Sequence, residues 1–142
     1  MYLYHITIIT DRLIMKISIG HIAIYTFDLE RSKAFYEKYF DARCNDKYQN
    51  AKGFSSYFMT FSSGARLEIM SQEGLPDRKI PEKEVGISHI AISVGSKDAV
   101  ISLTERITRD GFPLLSPPRT TGDGYFESCI ADPDGNRIEI TE

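Results

Sequence analysis

The sequence predicts an α+β fold made of two tandem copies of one strand–helix–strand module. Two observations carry this prediction. The tetrapeptide at residues 21–24 (HIAI) recurs 68 residues later at residues 89–92. Each copy is followed by a short strand pattern with a central glutamate, at residues 66–69 (RLEI) and 137–140 (RIEI). A register held across most of each half indicates an internal duplication, because chance matches do not extend that far.

The offset of the repeat can be followed along the chain. At 68 residues it aligns Phe35 with Leu103, and the pair at 57–58 (YF) with the pair at 125–126 (YF). From Arg66 onward the offset is 71 residues. The sequence therefore predicts a second hairpin, around residues 132–136 (DPDGN), that is three residues longer than the first.

Length and composition restrict the class of protein. A chain of 142 residues with 42% hydrophobic and 26% charged residues is typical of one globular domain with a buried core. A net charge of −3 argues against nucleic acid as a partner, and no apolar run is long enough to span a membrane. Cys44 and Cys129 do not suggest a disulfide framework, so a cytoplasmic location is expected.

The domain organisation follows from the repeat. Residues 15–82 and 83–142 are predicted to form a single domain. Residues 1–14 lie outside the repeat and are expected to be an N-terminal extension, in which Asp11 and Arg12 argue against a signal peptide. His5 has no counterpart in the second half and is excluded from the candidate site.

Each half is predicted to begin with a strand followed by a helix. Strand alternation places His21 and Tyr25 on the face opposite Ile22 and Ile24, and the same division recurs around His89. The predicted helix caps are Asp28 and Ser96 at the N-termini and Gly111 after the second helix. The apolar helix positions are Phe35, Tyr36, Tyr39, Phe40, Val100, Leu103 and Ile107.

Four ionisable residues occupy matching places in the two halves: His21, Glu68, His89 and Glu139. If the isoleucine and leucine faces pack on the helices, all four point to the open side of the sheets. Such a group is costly to desolvate unless a cation or a polar network compensates. Imidazole and carboxylate without thiolate suit Zn²⁺, Ni²⁺, Co²⁺, Mn²⁺ or Fe²⁺.

Less specific interpretations apply to several of these residues. A single strand histidine or glutamate is usually solvated or hydrogen-bonded, and only the duplication favours ligation. Arg66 and Arg137 are either binders of a substrate anion or cross-strand partners of the glutamates. Residues 134–136 are interpreted only as a turn. The aromatic residues expected in the core or a pocket wall are Tyr57, Phe58, Tyr125 and Phe126.

The two modules, the ligands on their first and last strands, and the DPDGN turn resemble the vicinal oxygen chelate superfamily. This group includes glyoxalase I, bleomycin-resistance proteins, extradiol dioxygenases and methylmalonyl-CoA epimerase. The resemblance covers residues 15–142. It implies two βαβββ modules whose mixed sheets curl into a cup with helices outside. It also implies a homodimer, sometimes with sites shared between chains.

The identity of the four expected ligands indicates which members of the superfamily this chain resembles most. The order His21, Glu68, His89, Glu139 is similar to bacterial glyoxalase I, which implies one divalent metal, Ni, Co or Zn, with Fe or Mn as further possibilities. It implies a lyase of the lactoylglutathione lyase type. The small substrate would be an α-hydroxycarbonyl compound or a thiol adduct, with proton transfer through an enediolate, Glu139 as the base and Glu68 as its partner.

One departure concerns the substrate. Glyoxalase I has an arginine four residues after its first histidine, where this chain has Tyr25, which cannot pair bidentately with a carboxylate. This argues against glutathione, although Arg119 could bind an anion instead. The expected substrate-binding residues are Tyr25, Arg119 and Tyr125. The alternatives are a metal-dependent dioxygenase or epimerase of the same superfamily, and a non-catalytic antibiotic-binding protein.

Overall fold

The computed structural model describes residues 16–77, 83 and 85–142. In chain order the elements are β1 (His21–Tyr25), α1 (Leu29–Phe40), β2 (Arg43–Cys44), β3 (Tyr48–Gln49), β4 (Phe54–Thr60), β5 (Arg66–Gln72), β6 (Ile90–Ser93), α2 (Lys97–Arg109), β7 (Leu114–Thr120), β8 (Phe126–Ala131) and β9 (Arg137–Thr141). The extension predicted at residues 1–14, with His5, and residue 82 at the predicted module boundary lie outside the described residues.

Two mixed β-sheets form the two halves. The first has the strand order β1-β5-β4-β2, with β3 also paired to β4, and the second has the order β6-β9-β8-β7. The β1–β5 and β6–β9 ladders are parallel, and α1 and α2 lie in the crossovers that parallel pairs require. Strands β2 and β3 together take the place that β7 has in the second half. The predicted α+β fold of two tandem βαβββ modules is confirmed.

The two helices begin and end where local chemistry predicts. The side chain of Asp28 accepts a hydrogen bond from the backbone N–H of Arg31, and that of Ser96 accepts one from Ala99. Gly111 follows α2 at a φ of +95°, the left-handed conformation that favours glycine at a helix end. Within the described ranges, neither helix is long and apolar enough to cross a bilayer.

One hydrophobic core runs through both modules. Helix α1 packs on its own sheet, and its Phe35 also meets Phe112, which follows α2, with ring centroids 4.8 Å apart. Val100 and Ile107 of α2 are fully buried in the same core. Each helix covers one face of its sheet, and the modules meet on the helix side. The opposite faces of both sheets are therefore open to solvent.

Pairing across the two hairpins corrects the predicted repeat alignment. Phe58 lies opposite Glu68 in the first hairpin, and Cys129 lies opposite Glu139 in the second. The hairpins are therefore equal in length, and the prediction of a longer second hairpin was wrong. The additional residues of the second half lie between α2 and β8. The identical letters at 57–58 and 125–126 do not occupy the same structural position.

Candidate functional site

His21 and Glu68 lie on neighbouring parallel strands, and we name this pair half-site 1. The strand register pairs His21 with Arg66 and Ala23 with Glu68, so these side chains share the open face of the first sheet. Nε2 of His21 lies 3.7 Å from Oε2 of Glu68. The imidazole is 44% exposed and the carboxylate 14% exposed, so both remain accessible to a ligand from the open side.

Phe58 forms the floor of half-site 1. It lies opposite Glu68 on β4, and its ring meets the His21 imidazole edge-on, with centroids 5.2 Å apart. The guanidinium carbon of Arg66 lies 4.5 Å from the centre of the same ring. One aromatic ring thus contacts both the imidazole and the guanidinium and favours a fixed position for each. Phe58 therefore lies on the open face, while its neighbour Tyr57 is buried in the core.

His89 and Glu139 form the equivalent pair on the second sheet, half-site 2. The strand register pairs Ala91 with Glu139, and His89 immediately precedes β6. Nε2 of His89 lies 3.0 Å from Oε2 of Glu139, with side chains 38% and 21% exposed. The second ring nitrogen, Nδ1, lies 3.2 Å from Oγ of Ser88. A hydrogen bond at Nδ1 orients the ring and leaves Nε2 directed at the carboxylate.

Cys129 takes the place in half-site 2 that Phe58 takes in half-site 1. It is buried and lies opposite Glu139 on β8. Burial raises the pKa of the Cys129 thiol, and the charged groups that face it are Arg137, Glu139, Glu127 and Arg119. The thiol therefore stays neutral at ordinary pH, and the donors that half-site 2 presents are an imidazole and a carboxylate.

The two half-sites do not converge within one chain. Among the described residues, no three histidine, cysteine, aspartate or glutamate side chains lie close enough together to hold a metal ion. In that part of the chain, the histidine of the same pair is the charged or polar side chain in contact with Glu68 and with Glu139. Each pair therefore offers one imidazole and one carboxylate with free coordination capacity. Two pairs together match the donor set of a four-ligand divalent metal site.

The three predicted substrate-binding residues lie in different surroundings. Tyr25 ends β1 on the same face as His21 and is 51% exposed. Arg119 of β7 forms an ion pair with Glu127, with Nη2 3.4 Å from Oε1. Tyr125 directly precedes β8 and is 58% exposed. The pairing of Arg119 with Glu127 makes it less available for a substrate anion than an arginine without a carboxylate partner.

The turn at residues 132–136 does more than reverse the chain. Asp132 is 3% exposed and accepts hydrogen bonds from the Tyr36 hydroxyl at 2.9 Å and from the backbone N–H groups of Asp134 at 2.9 Å and Asn136 at 2.8 Å. Burial, with Asp132 beside it, raises the pKa of the Tyr36 phenol, so the hydroxyl remains a donor. A residue of the first module is thus held by a turn of the second.

Asp134 extends the same contact to the start of α1. Its carboxylate accepts hydrogen bonds from the hydroxyls of Thr26 and Ser32, the latter at 3.0 Å, and from Nη2 of Arg31 at 3.1 Å. Together these bonds join the turn of the second module to the start of α1 in the first. The interpretation of residues 134–136 as a turn alone missed this, although two aspartates in one short turn exceed what the turn needs.

Comparisons with known proteins agree with this architecture. The sequence model of the Glyoxalase/Bleomycin resistance protein/Dioxygenase superfamily matches residues 18–140. The chain is 29% identical over 126 residues to the uncharacterized protein YwkD of Bacillus subtilis (strain 168), covering 88% of this chain and 96% of YwkD. It is 27% identical over 123 residues to the uncharacterized protein YqjT of the same organism, covering 84% and 94%.

Solved structures share the fold. A glyoxylase/bleomycin resistance protein/dioxygenase domain from Frankia sp. EAN1pec has a TM-score of 0.75 at 18% identity, covering 87% of this chain and 95% of that one. Glyoxalase I from Zea mays has a TM-score of 0.73 at 22% identity, and the match covers 87% of this chain but 44% of the maize chain. The family match spans nearly the whole duplicated region, and the chain belongs to the Glyoxalase/Bleomycin resistance protein/Dioxygenase superfamily.

Proposed function

We propose that this protein is a metal-dependent enzyme of the glyoxalase I type, a lyase that moves a proton beside a carbonyl group of a small substrate. Half-site 1 of one chain and half-site 2 of a second copy would together hold one divalent metal. The observation that carries this proposal is the matched geometry of the two pairs. Each presents a histidine Nε2 within 4 Å of a glutamate oxygen, on the open face of its sheet.

A second copy is the simplest way to complete the ligand set. Within one chain the described residues form no group of three potential ligands, and the contacts of Asp132 and Asp134 join the modules on the side of α1, through Ser32 and Tyr36. The two histidines lie on or beside β1 and β6, which are edge strands of their sheets. A symmetric homodimer would form two identical composite sites, since each chain contributes one of each pair.

Exposed apolar residues support a contact of this kind. Ile17 and Ile19 precede β1, and Val85 and Ile87 precede His89, and all four are highly exposed. Exposed apolar side chains that lie close together in the chain, at equivalent places in both modules, favour a protein–protein interface over a free surface. Their position beside both histidines is where a dimer that joins the two half-sites would need them.

The donor chemistry favours a borderline divalent metal. Two imidazoles and two carboxylates suit Ni²⁺, Co²⁺ or Zn²⁺, and Fe²⁺ or Mn²⁺ are compatible with the same set. When bound, such a metal acts as a Lewis acid that polarises the substrate oxygens and favours loss of the neighbouring proton.

The chain itself supplies proton transfer and positioning. Glu139 is proposed to remove the proton from the carbon beside the carbonyl and to return it to the next carbon, with Glu68 as the partner carboxylate. The contact of Ser88 with Nδ1 keeps the His89 ring in position. Phe58 provides an apolar floor that limits access of water to the reacting atoms from that side.

Metal analysis tests the proposal most simply. Protein purified without an affinity metal should contain one divalent ion per chain, which is two per dimer. Alanine variants of His21, Glu68, His89 and Glu139 should each lose most of that metal. His5→Ala is the matched control, because His5 is the remaining histidine of the chain and lies outside the repeat. Full metal content in all four variants would overturn the proposed site.

The same preparation separates the enzymatic alternatives. A proton-transfer enzyme should work under argon, whereas an oxygenase of the same superfamily should require O₂ and Fe²⁺. A non-catalytic binding protein should retain its ligand after chelation. Activity that disappears with chelation and is indifferent to oxygen is the result that the proposal expects.

A further inference from the structure

Two arginines accompany the two half-sites at equivalent positions. Arg66 and Arg137 each lie two residues before the glutamate, on the same strand face. In the first sheet Arg66 is the register partner of His21. In the second sheet Arg137 shares its strand face with Glu139, whose register partner is Cys129. Each half-site therefore contains an imidazole, a carboxylate and a guanidinium on one open surface.

Neither arginine is used to neutralise a carboxylate. Among the residues that the structure describes, neither Arg66 nor Arg137 forms an ion pair, whereas Arg119 on the same face is paired with Glu127. Arg66 instead lies against the Phe58 ring, which holds the guanidinium plane and leaves its N–H groups free to bind a ligand. The described side chains therefore do not show these arginines paired with the glutamates.

A complete composite site would therefore carry net positive charge. The two glutamates balance a divalent cation, and Arg119 is balanced by Glu127. The two guanidiniums that flank the pairs therefore remain as net positive charge beside the proposed metal. Such a site attracts an anion and disfavours a neutral or cationic ligand of the same shape.

We infer that Arg66 and Arg137 bind an anionic group of the substrate, so that the substrate class is an α-hydroxycarbonyl compound that carries a carboxylate or phosphate. This inference rests on the proposed function, because it concerns the same composite site. Guanidinium groups suit this task, since their planar N–H groups match the paired oxygens of a carboxylate or phosphate. Tyr25, at the end of β1, then contributes a neutral contact rather than the charge.

A pair of probes separates the anion from the chelating group. Acetohydroxamate and phosphonoacetohydroxamate both offer two neighbouring oxygens, and only the second also carries a phosphonate. Binding of each to the metal-loaded protein is measured by calorimetry, in the wild type and in Arg66→Ala, Arg66→Lys and Arg137→Ala variants. Arg109→Ala, in the last turn of α2, is the control for loss of a positive charge elsewhere.

The wild type should prefer the phosphonate probe by roughly ten- to hundred-fold for each arginine that contacts it, the range expected for a charge-assisted hydrogen bond. Arg66→Ala and Arg137→Ala should each lose most of that preference while keeping metal content and acetohydroxamate affinity. Arg66→Lys should restore part of it, and Arg109→Ala should leave it unchanged.

The possible failures are distinguishable. If acetohydroxamate binds but the phosphonate adds nothing, or if both alanine variants keep the full preference, the inference about the arginines is overturned while the metal site stands. If acetohydroxamate does not bind to metal-loaded protein, or binds equally after chelation, the proposed function fails and the inference fails with it.

Discussion

The two modules carry equivalent hairpin turns that behave differently. In the second module, Asp132 and Asp134 bind Tyr36, Thr26 and Ser32 of the first module. In the first module, the serines at 62 and 63 instead line a cleft of about 790 Å³ beside α2. On that side the polar contacts between modules come from the helices instead, since Lys38 and Tyr39 of α1 both bind Asp110 at the end of α2. The strand register is thus the same at both turns, but among the described residues only the turn of the second module binds the other module through its side chains.

The two half-sites show a similar contrast. Both pair a histidine with a glutamate, but Phe58 lies opposite the glutamate in half-site 1 and Cys129 lies there in half-site 2. The Nε2–Oε2 distance is 3.7 Å in the first and 3.0 Å in the second. Equivalent ligands in unequal surroundings are suited to unequal roles, one holding the metal and one also moving a proton.

The largest expected effect separates the roles of the glutamates. Glu139→Gln should lower the turnover number by roughly 10²–10⁴, because an amide can still coordinate a metal but cannot accept a proton. Glu68→Gln should lower it less. Both variants should be compared for metal content by mass spectrometry. Parallel loss of metal and activity in Glu139→Gln would make Glu139 a ligand only.

The unequal turns should differ in their contribution to stability. Asp132→Ala leaves the buried Tyr36 hydroxyl and two backbone N–H groups without their acceptor and should lower the free energy of unfolding by about 3 kcal/mol. Ser63→Ala, at the equivalent turn, should change it by less than about 0.5 kcal/mol. Urea denaturation measures both. Equal effects would show that the contrast between the turns has no energetic consequence.

A smaller effect is expected at the rim of half-site 1. The protein should turn over the methylglyoxal–glutathione hemithioacetal poorly, and Tyr25→Arg should improve kcat/KM by about ten-fold through a charge-assisted pair with the glutathione carboxylate. Tyr25→Phe is the control without a new charge. Efficient turnover by the unmodified protein, without a gain in the arginine variant, would mean that another residue already binds that carboxylate.

The sequence predicted the local features of the fold but not the pairing of residues that are distant in the chain. The helix caps at Asp28 and Ser96 followed from residue type and spacing, and the shared faces within each module followed from strand alternation. Identical letters at 57–58 and 125–126 shifted the repeat alignment, because letter identity does not fix strand register. Correct register appears only when the pairing partners of Glu68 and Glu139 are known.

The sequence also could not predict how the two half-sites are placed relative to each other. Whether four ligands meet in one chain depends on how the modules are oriented. That orientation is set by contacts such as the Tyr36–Asp132 hydrogen bond, between residues 96 positions apart. No local sequence pattern predicts such a contact, because a turn alone is enough to explain the residues DPDGN.

Complementation between two inactive variants tests the shared site most directly. The first variant carries His21→Ala and Glu68→Ala, and the second carries His89→Ala and Glu139→Ala, so neither homodimer has a complete site. When the two are unfolded together and refolded as a mixture, half of the dimers should be mixed and should hold one intact composite site each. We expect recovery of about one quarter of the wild-type metal and activity, because one of the two sites is intact in half of the dimers. Absence of any recovery, in a mixture whose mixed dimers are verified by mass spectrometry, would contradict it.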